Sequence, residues 1–303
     1  MTASGTHPPV VVIGDVMTDV VARVDDPLAL GSDTAAHVQT RQGGAGANVA
    51  HWLASFGCRV RFVGRVGDDP FGREAVTVLT AAGVDPHVVV DPTLSTGTVV
   101  VLVGADGERT MLPDAGANSA LSADDLPPLT SAETSWLHLS GYTLLNPGSR
   151  AAGEAALALA AASGVPRSVD VASAAPLEAL GGKEFLRLTD GLELVFCTLD
   201  EAEVLVGTRD PSTAVARLTG TYREVVLKTG AAGATWAGED AQPVHVPACP
   251  APGPVVDTTG AGDAFAAAYL AAARDGADVP GRLTRACRAA AAVVVLVGAR
   301  PPG

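Results

Sequence analysis

The chain has 303 residues, 48% hydrophobic and 17% charged, with a formal net charge of −13. That is ample material for one large core or two small ones, while no uninterrupted apolar run reaches membrane-spanning length and the acidic balance argues against general nucleic-acid binding, which calls for a basic patch. Four cysteines at 58, 197, 249 and 287 form no CxxC pair and the six histidines are scattered, which argues against a zinc or His-built metal site and fits a reducing cytoplasm.

Residues 1–9 show no basic region followed by an apolar stretch, so a frayed tail is expected there rather than a signal peptide. Val10–Ile13 reads as a strand, with Asp15 just beyond it. The segment Val20–Thr40 alternates polar and apolar residues. The glycine cluster Gly43, Gly44 and Gly46 then runs into a helical pattern over Asn48–Phe56, stopped by Gly57. A strand follows at Val60–Val63 and a helix at Phe71–Ala82. Thr96–Pro113 breaks the rhythm again, and its Ala105-Asp106-Gly107-Glu108 reads as a hairpin turn. Further strands at Trp136–Leu139, Ser168–Val171, Leu194–Cys197 and Val225–Lys228 alternate with helices at Ala151–Ala162, Asp200–Val206 and Thr213–Leu218. Two helices close the chain, Ala261–Arg274 and Pro280–Val297, the second with a buried Ala-Val-rich end. The alternation predicts a parallel sheet flanked by helices. Segments 20–40 and 96–113 would form a small sheet outside that layer, or simply a surface hairpin.

Two motifs carry chemistry. In Val256-Asp257-Thr258-Thr259-Gly260-Ala261-Gly262-Asp263 an extended segment turns into an Ala-rich helix. A helix start offers unpaired N–H groups and the positive end of the macrodipole, an anion site. Small residues let a phosphoryl group reach the backbone N–H groups of Gly260, Ala261 and Gly262. Asp263, in the first turn, is placed to take a proton from a substrate hydroxyl, and the helix start should keep it ionised. The plain alternative is a capped helix after a turn. Far upstream, Gly43, Gly44 and Asn48 set backbone N–H groups and a side-chain amide where a polyhydroxyl ligand can approach; a turn with Asn48 as cap is the alternative. No GxxxxGK[ST] occurs, and no GxGxxG follows the first strand, so a phosphate cradle must come from another motif.

Together these segments resemble the ribokinase family, the PfkB carbohydrate kinases, over nearly the whole chain. Val10 to Asp19 looks like the family's first strand and sugar-binding aspartate, Gly43 to Asn48 its first signature, Val63 to Gly72 the segment that follows, and Asp257 to Asp263 its second signature. The resemblance implies one ribokinase-like domain over 1–303: a three-layer α/β/α fold with a central, mostly parallel sheet and a small β-sheet lid from segments 20–40 and 96–113. It implies transfer of a phosphoryl group from ATP, with Asp263 as general base. Asp19, with Gly43, Gly44 and Asn48 opposite and Asp15 nearby, would bind the sugar. Thr198 to Glu203 resembles the family's Asn-x-x-Glu motif, with Thr198 in place of Asn; Glu201 would organise Mg²⁺ through water. Lys228, Thr229, Gly230 and Gly233 look like the nucleotide loop. Asp257 and Thr259, with backbone carbonyls near Val293 and Gly298, resemble the monovalent-cation site, which implies K⁺. The lid would also carry a homodimer contact.

The acceptor stays open at this stage. Ribose-specific members usually have Asn where this chain has Met17 and Lys where it has Ala45, and no Arg–Lys sugar-phosphate clamp is evident. Asp114 and Asn118 can add hydroxyl contacts from the lid, and His51, Phe56 or Tyr142 can flank a base. The expected function is phosphorylation of a hydroxymethyl group of a sugar in the cytoplasm, with no nucleic-acid or membrane partner. The alternatives are a nucleoside kinase of the same family and a catalytically silent sugar-binding regulator.

Overall fold

The computed structural model describes residues 8–104 and 108–301. Strand β1 (Val10–Ile13) leads into β2 (Met17–Arg23) and β3 (His37–Gly43), then helix α1 (Ala45–Ser55). Next come β4 (Val60–Gly67), α2 (Pro70–Ala81), β5 (Asp85–Asp91), β6 (Gly97–Val103) and β7 (Arg109–Asp114). β8 (Trp136–Ser140), α3 (Tyr142–Leu145), α4 (Arg150–Ala162), β9 (Arg167–Asp170), α5 (Ala174–Leu180) and α6 (Gly182–Leu188) follow. The last third holds β10 (Leu194–Thr198), α7 (Leu199–Val206), α8 (Pro211–Leu218), β11 (Glu224–Lys228), β12 (Ala234–Gly238), β13 (Val244–Val246), α9 (Ala261–Arg274) and α10 (Val279–Val293).

Nine strands form the main sheet in the order β13-β12-β11-β10-β9-β8-β1-β4-β5. Pairing is parallel from β11 to β5, and β12 runs against its neighbours at one edge. The sheet is covered on both faces, which is why its strands read as continuous apolar runs. Along β1, Val10 and Val12 enter the core under α1, α2, α9 and α10, while Val11 and Ile13 enter the core under α4, α7 and α8. Aspartates start three of the helices: Asp69, Asp210 and Asp278 accept the N–H groups of Gly72, Thr213 and Gly281 at 2.8–2.9 Å, with a proline in each first turn.

The second sheet, β3-β2-β6-β7, is built from the two segments that broke the α/β rhythm. Its β2 and β6 pair in parallel from Met17↔Gly97 to Arg23↔Val103, and β7 returns against β6. Residues 105–107 of the expected hairpin turn lie outside the described residues; beside them, Gly104 N–H donates to Glu108 O at 3.0 Å. Residues 1–7 lie outside them too.

One boundary differs in a way that matters. The last helix, expected to run to Val297, ends at Val293. The carbonyl of Val294 accepts the N–H groups of Val256 and Asp257, and Leu296 N–H turns back to Val293 O at 2.8 Å. These bonds divert residues 294–301 from the helix axis toward the α9 start.

Candidate active site

Parallel strands deliver their carboxyl ends to one edge of the sheet. The chain visits β4 on one side of β1 before it reaches β8 on the other, so the β1/β8 boundary is a topological switch point, where open α/β sheets leave a crevice. Around it stand Asp15 after β1, Ser140 on β8, Asp170 on β9, Thr198 on β10 and Lys228 on β11.

On the lid side, Asp19 of β2 lies against Gly43 of β3. A Cβ at Gly43 would stand 2.7 Å from the Asp19 carboxylate, so any side chain there would push that carboxylate aside. No described residue hydrogen-bonds the Asp19 carboxylate, and its pKa is raised to about 6, chiefly by burial, against the pull of Arg300. Asp15 is differently employed. Its carboxylate accepts Ala45 N–H at 3.0 Å, Gly46 N–H at 3.3 Å and the Ser140 hydroxyl at 3.0 Å, and so anchors the start of α1. Gly44 makes this possible with φ +90 and no room for a side chain against Asp15 O and Val16.

Asn48, buried in α1, donates from Nδ2 to Asp263 Oδ2 at 2.8 Å. Its Oδ1 accepts Arg300 Nε at 2.9 Å, and a second guanidinium nitrogen of Arg300 reaches Gly43 O at 2.8 Å. The first and last thirds of the chain therefore meet at one amide. Asn118 is not free for hydroxyl contacts as expected. It accepts Val16 N–H at 3.0 Å and donates to Val16 O and Ala115 O, while the Asp114 carboxylate takes Gly116 N–H at 3.0 Å. Phe56 also differs from expectation: it stacks on Trp52 at 5.7 Å within the core edge. Tyr142 does lie at the site. Burial raises its hydroxyl to about pKa 12, with Asp15 and Asp263 adding to the shift.

Asp263 sits in the first turn of α9. The helix start was expected to keep it ionised at neutral pH; its pKa is raised to about 7, because burial and the nearby Asp170 and Asp15 outweigh the Asn48 bond and Lys228. Gly260 caps α9 at φ +78, with Ala299 packed where a side chain would stand. The first-turn N–H groups of α9 have no intrahelical acceptor, although Ala261 N–H is drawn to Thr258 O at 3.3 Å. A Cβ at Gly262 would lie 3.5 Å from Lys228 Nζ, which puts an ammonium beside that helix start.

Lys228, expected in the nucleotide loop, is held in a part-buried ion pair with Asp170 at 2.6 Å. Burial lowers its pKa, but Asp170 and Glu201 outweigh burial and the net shift is upward. Glu201 is buried as well, and burial raises its pKa against the pull of Lys228. It completes a reciprocal cap with Thr198: Thr198 N–H donates to Glu201 Oε2 at 2.8 Å and Glu201 N–H to Thr198 Oγ1 at 3.3 Å. Thr229 turns both its N–H and its hydroxyl onto Gly233 O at 2.9 Å, while Gly230 and Gly233 take φ +58 and +104. Asp170 was missed as a site residue because it read as the interior of a strand; its place at a strand's carboxyl end was the available signal. Arg300 gave none, being one arginine in a glycine- and proline-rich tail.

The residues expected to hold a monovalent cation do not present an oxygen cage. Asp257 accepts Arg109 at 2.7 Å and Thr259 N–H at 2.8 Å on one oxygen, and Gly298 N–H at 3.1 Å on the other. The Thr259 hydroxyl also accepts Arg109, at 3.0 Å, and Val293 O is taken by Leu296 N–H. A guanidinium from the small sheet stands where the cation was expected, so the site as built does not fit one. Among the described residues no three His, Cys, Asp or Glu side chains gather as a metal cage.

Comparison with known proteins agrees with this geometry. The family described as "pfkB family carbohydrate kinase" matches residues 8–302. A fructokinase of Klebsiella pneumoniae is 36% identical over 76% of this chain and 76% of its own, and a ribokinase of Mus musculus is 31% identical over 86% and 81%. Among solved structures, an adenosine kinase from Sinorhizobium meliloti superposes with a TM-score of 0.88 at 26% identity, covering 98% of this chain and 96% of that one. An Arabidopsis thaliana ribokinase complexed with ribose and ATP superposes at 0.79 and 26% identity over 97% and 95%.

Proposed function

We propose how this sugar kinase works from one premise: the chain belongs to the pfkB family of carbohydrate kinases. The reaction is transfer of the γ-phosphoryl group of ATP to a hydroxymethyl group of a sugar. Asp19, whose carboxylate has no hydrogen-bond partner among the described residues, accepts hydrogen bonds from two sugar hydroxyls, with Gly43, Gly44 and Asn48 forming the opposite wall. Asp263 takes the proton of the attacking hydroxyl as that oxygen bonds to the γ-phosphorus and the bond to the β-phosphate oxygen breaks. The N–H groups from Gly260 to Gly262, with Lys228 beside them, face the charge on the transferring oxygens. Thr198, Thr229, Gly230 and Gly233 line the nucleotide side, where small residues let phosphate or ribose reach the backbone. Mg²⁺ carried on the nucleotide would neutralise phosphate charge, with Glu201 as the nearby acid; no step is assigned to K⁺.

The observation that carries this reading is the Asp263 carboxylate held by Asn48 at 2.8 Å in the first turn of α9. The test is ADP release from MgATP across pentoses, hexoses, keto-deoxy acids and nucleosides, with Asp263→Asn as control. Acceptor-dependent release lost by orders of magnitude in a folded Asp263→Asn supports it; retained turnover removes Asp263 from the role. A nucleoside acceptor is the second reading. It is favoured by Tyr142 at the site and by the likeness to an adenosine kinase. The lid is the proposed homodimer surface, since Val38, Met111 and Leu112 stand exposed on it.

A further inference from the structure

The tail that leaves α10 brings a positive charge into the acceptor side of the site. Its backbone is fixed on two sides: Trp52 Nε1 donates to Ala299 O at 2.9 Å, and Gly260 packs directly on Ala299. The next residue, Arg300, is therefore delivered at a set position. Two of its guanidinium nitrogens are used, on Asn48 Oδ1 and Gly43 O. The third, Nη1, is buried and has no hydrogen-bond partner among the described residues. A buried donor left unpaired is costly, so it calls for a partner, an ordered water or a ligand atom.

The bond to Asn48 has a directional consequence. A guanidinium only donates, so it binds the oxygen end of the amide. That leaves the Asn48 NH₂ end facing Asp263, where it donates at 2.8 Å. Without Arg300 the amide loses the partner that sets its orientation. The charged groups facing Asp263 are then Asp170, Asp15 and Lys228, with Asp19 farther along the Arg300 side.

We infer that Arg300 is a positioning and acceptor-recognition residue: it orients Asn48 toward Asp263 through two fixed bonds and offers its third nitrogen to an oxygen of the acceptor. This rests on the kinase reading above. It makes the C-terminal segment part of the acceptor site, and it selects acceptors that present an oxygen, as hydroxyl or carboxylate, to Nη1 while another oxygen pair meets Asp19.

The test uses Arg300→Lys and Arg300→Ala in the full chain, with the best acceptor found for the wild type. Acceptor KM, ATP KM and kcat are measured separately from pH 5.5 to 9, with melting curves as a check on folding. Arg300→Ala is expected to raise acceptor KM about 10- to 100-fold and leave ATP KM within about twofold. It should also move the acid limb of kcat to higher pH, and methylguanidine added to it should restore part of the loss. Arg300→Lys, which keeps the charge without the fork, is expected to fall between the two. Wild-type acceptor KM and an unmoved pH profile in either folded variant overturn the proposal. Equal losses toward ATP and acceptor, without rescue by methylguanidine, mark a purely structural role and also overturn it. A wild type that releases no ADP with any acceptor strikes instead at the kinase reading itself.

Discussion

Asp263 and Asp19 are acids held above their ordinary pKa by burial, to about 7 and about 6. A base must be deprotonated to work. Turnover should therefore rise with pH through about 7 and level off above it; a profile flat from pH 5 to 8 would count against Asp263. The stability consequence has the opposite sign. A carboxylate whose folded pKa is raised contributes stability that is present below its unfolded pKa near 3.8 and is lost as pH rises through the folded value. Melting curves of the apoprotein should show Asp263→Asn more stable than wild type at pH 8, by about 1–2 kcal/mol after allowance for solvent access, with the difference gone near pH 4. Gly43→Ala tests the acceptor wall directly. Its added Cβ must displace the Asp19 carboxylate, and we expect acceptor KM to rise about tenfold or more with little change in ATP KM.

At the scale of elements, α7 is held by the reciprocal Thr198–Glu201 cap. Thr198 stands where the family usually has Asn, and its local role is clear: it starts the helix that carries a buried acid toward Lys228. Thr198→Val removes one half of the cap and should lower stability by about 1 kcal/mol, a fall of about 2 °C in a melting curve. The strands of the parallel sheet were legible because both faces are apolar, as the alternating core assignments of β1 record. The edge strands β5 and β13, and β12 beside β13, were not. They are short or half exposed, and β5 opens with Asp85-Pro86, which reads as a turn. The end of α10 was placed four residues late because Val294 to Val297 continues the apolar pattern. The competing partners are Leu296 N–H on Val293 O and, on Val294 O, the N–H groups of Val256 and Asp257 from a loop far upstream.

Across the whole molecule, Arg109 links the lid to the loop that enters α9, through Asp257 and Thr259. With Asp257 already paired, the rate should be the same in K⁺ and in a large organic cation at matched ionic strength; activation by K⁺ would mean that Arg109 leaves Asp257 during turnover. Arg109→Ala should raise the acceptor KM several-fold and allow more ATP hydrolysis without acceptor, measured as ADP release in its absence, because a looser lid admits water. The amino-acid sequence by itself determined the α/β alternation, the two glycine-rich helix starts and the carboxylate of Asp263 in the first turn of the second, because each depends on residue types within one short segment. Only the tertiary structure decided which groups meet there. Asp15 proved to be an anchor for α1, Lys228 a part-buried partner of Asp170, Asn118 a lid strut, and Arg300 and Arg109 further cations of the site. Those assignments depend on distances between residues up to 257 positions apart, which the fold sets and which local pattern does not encode.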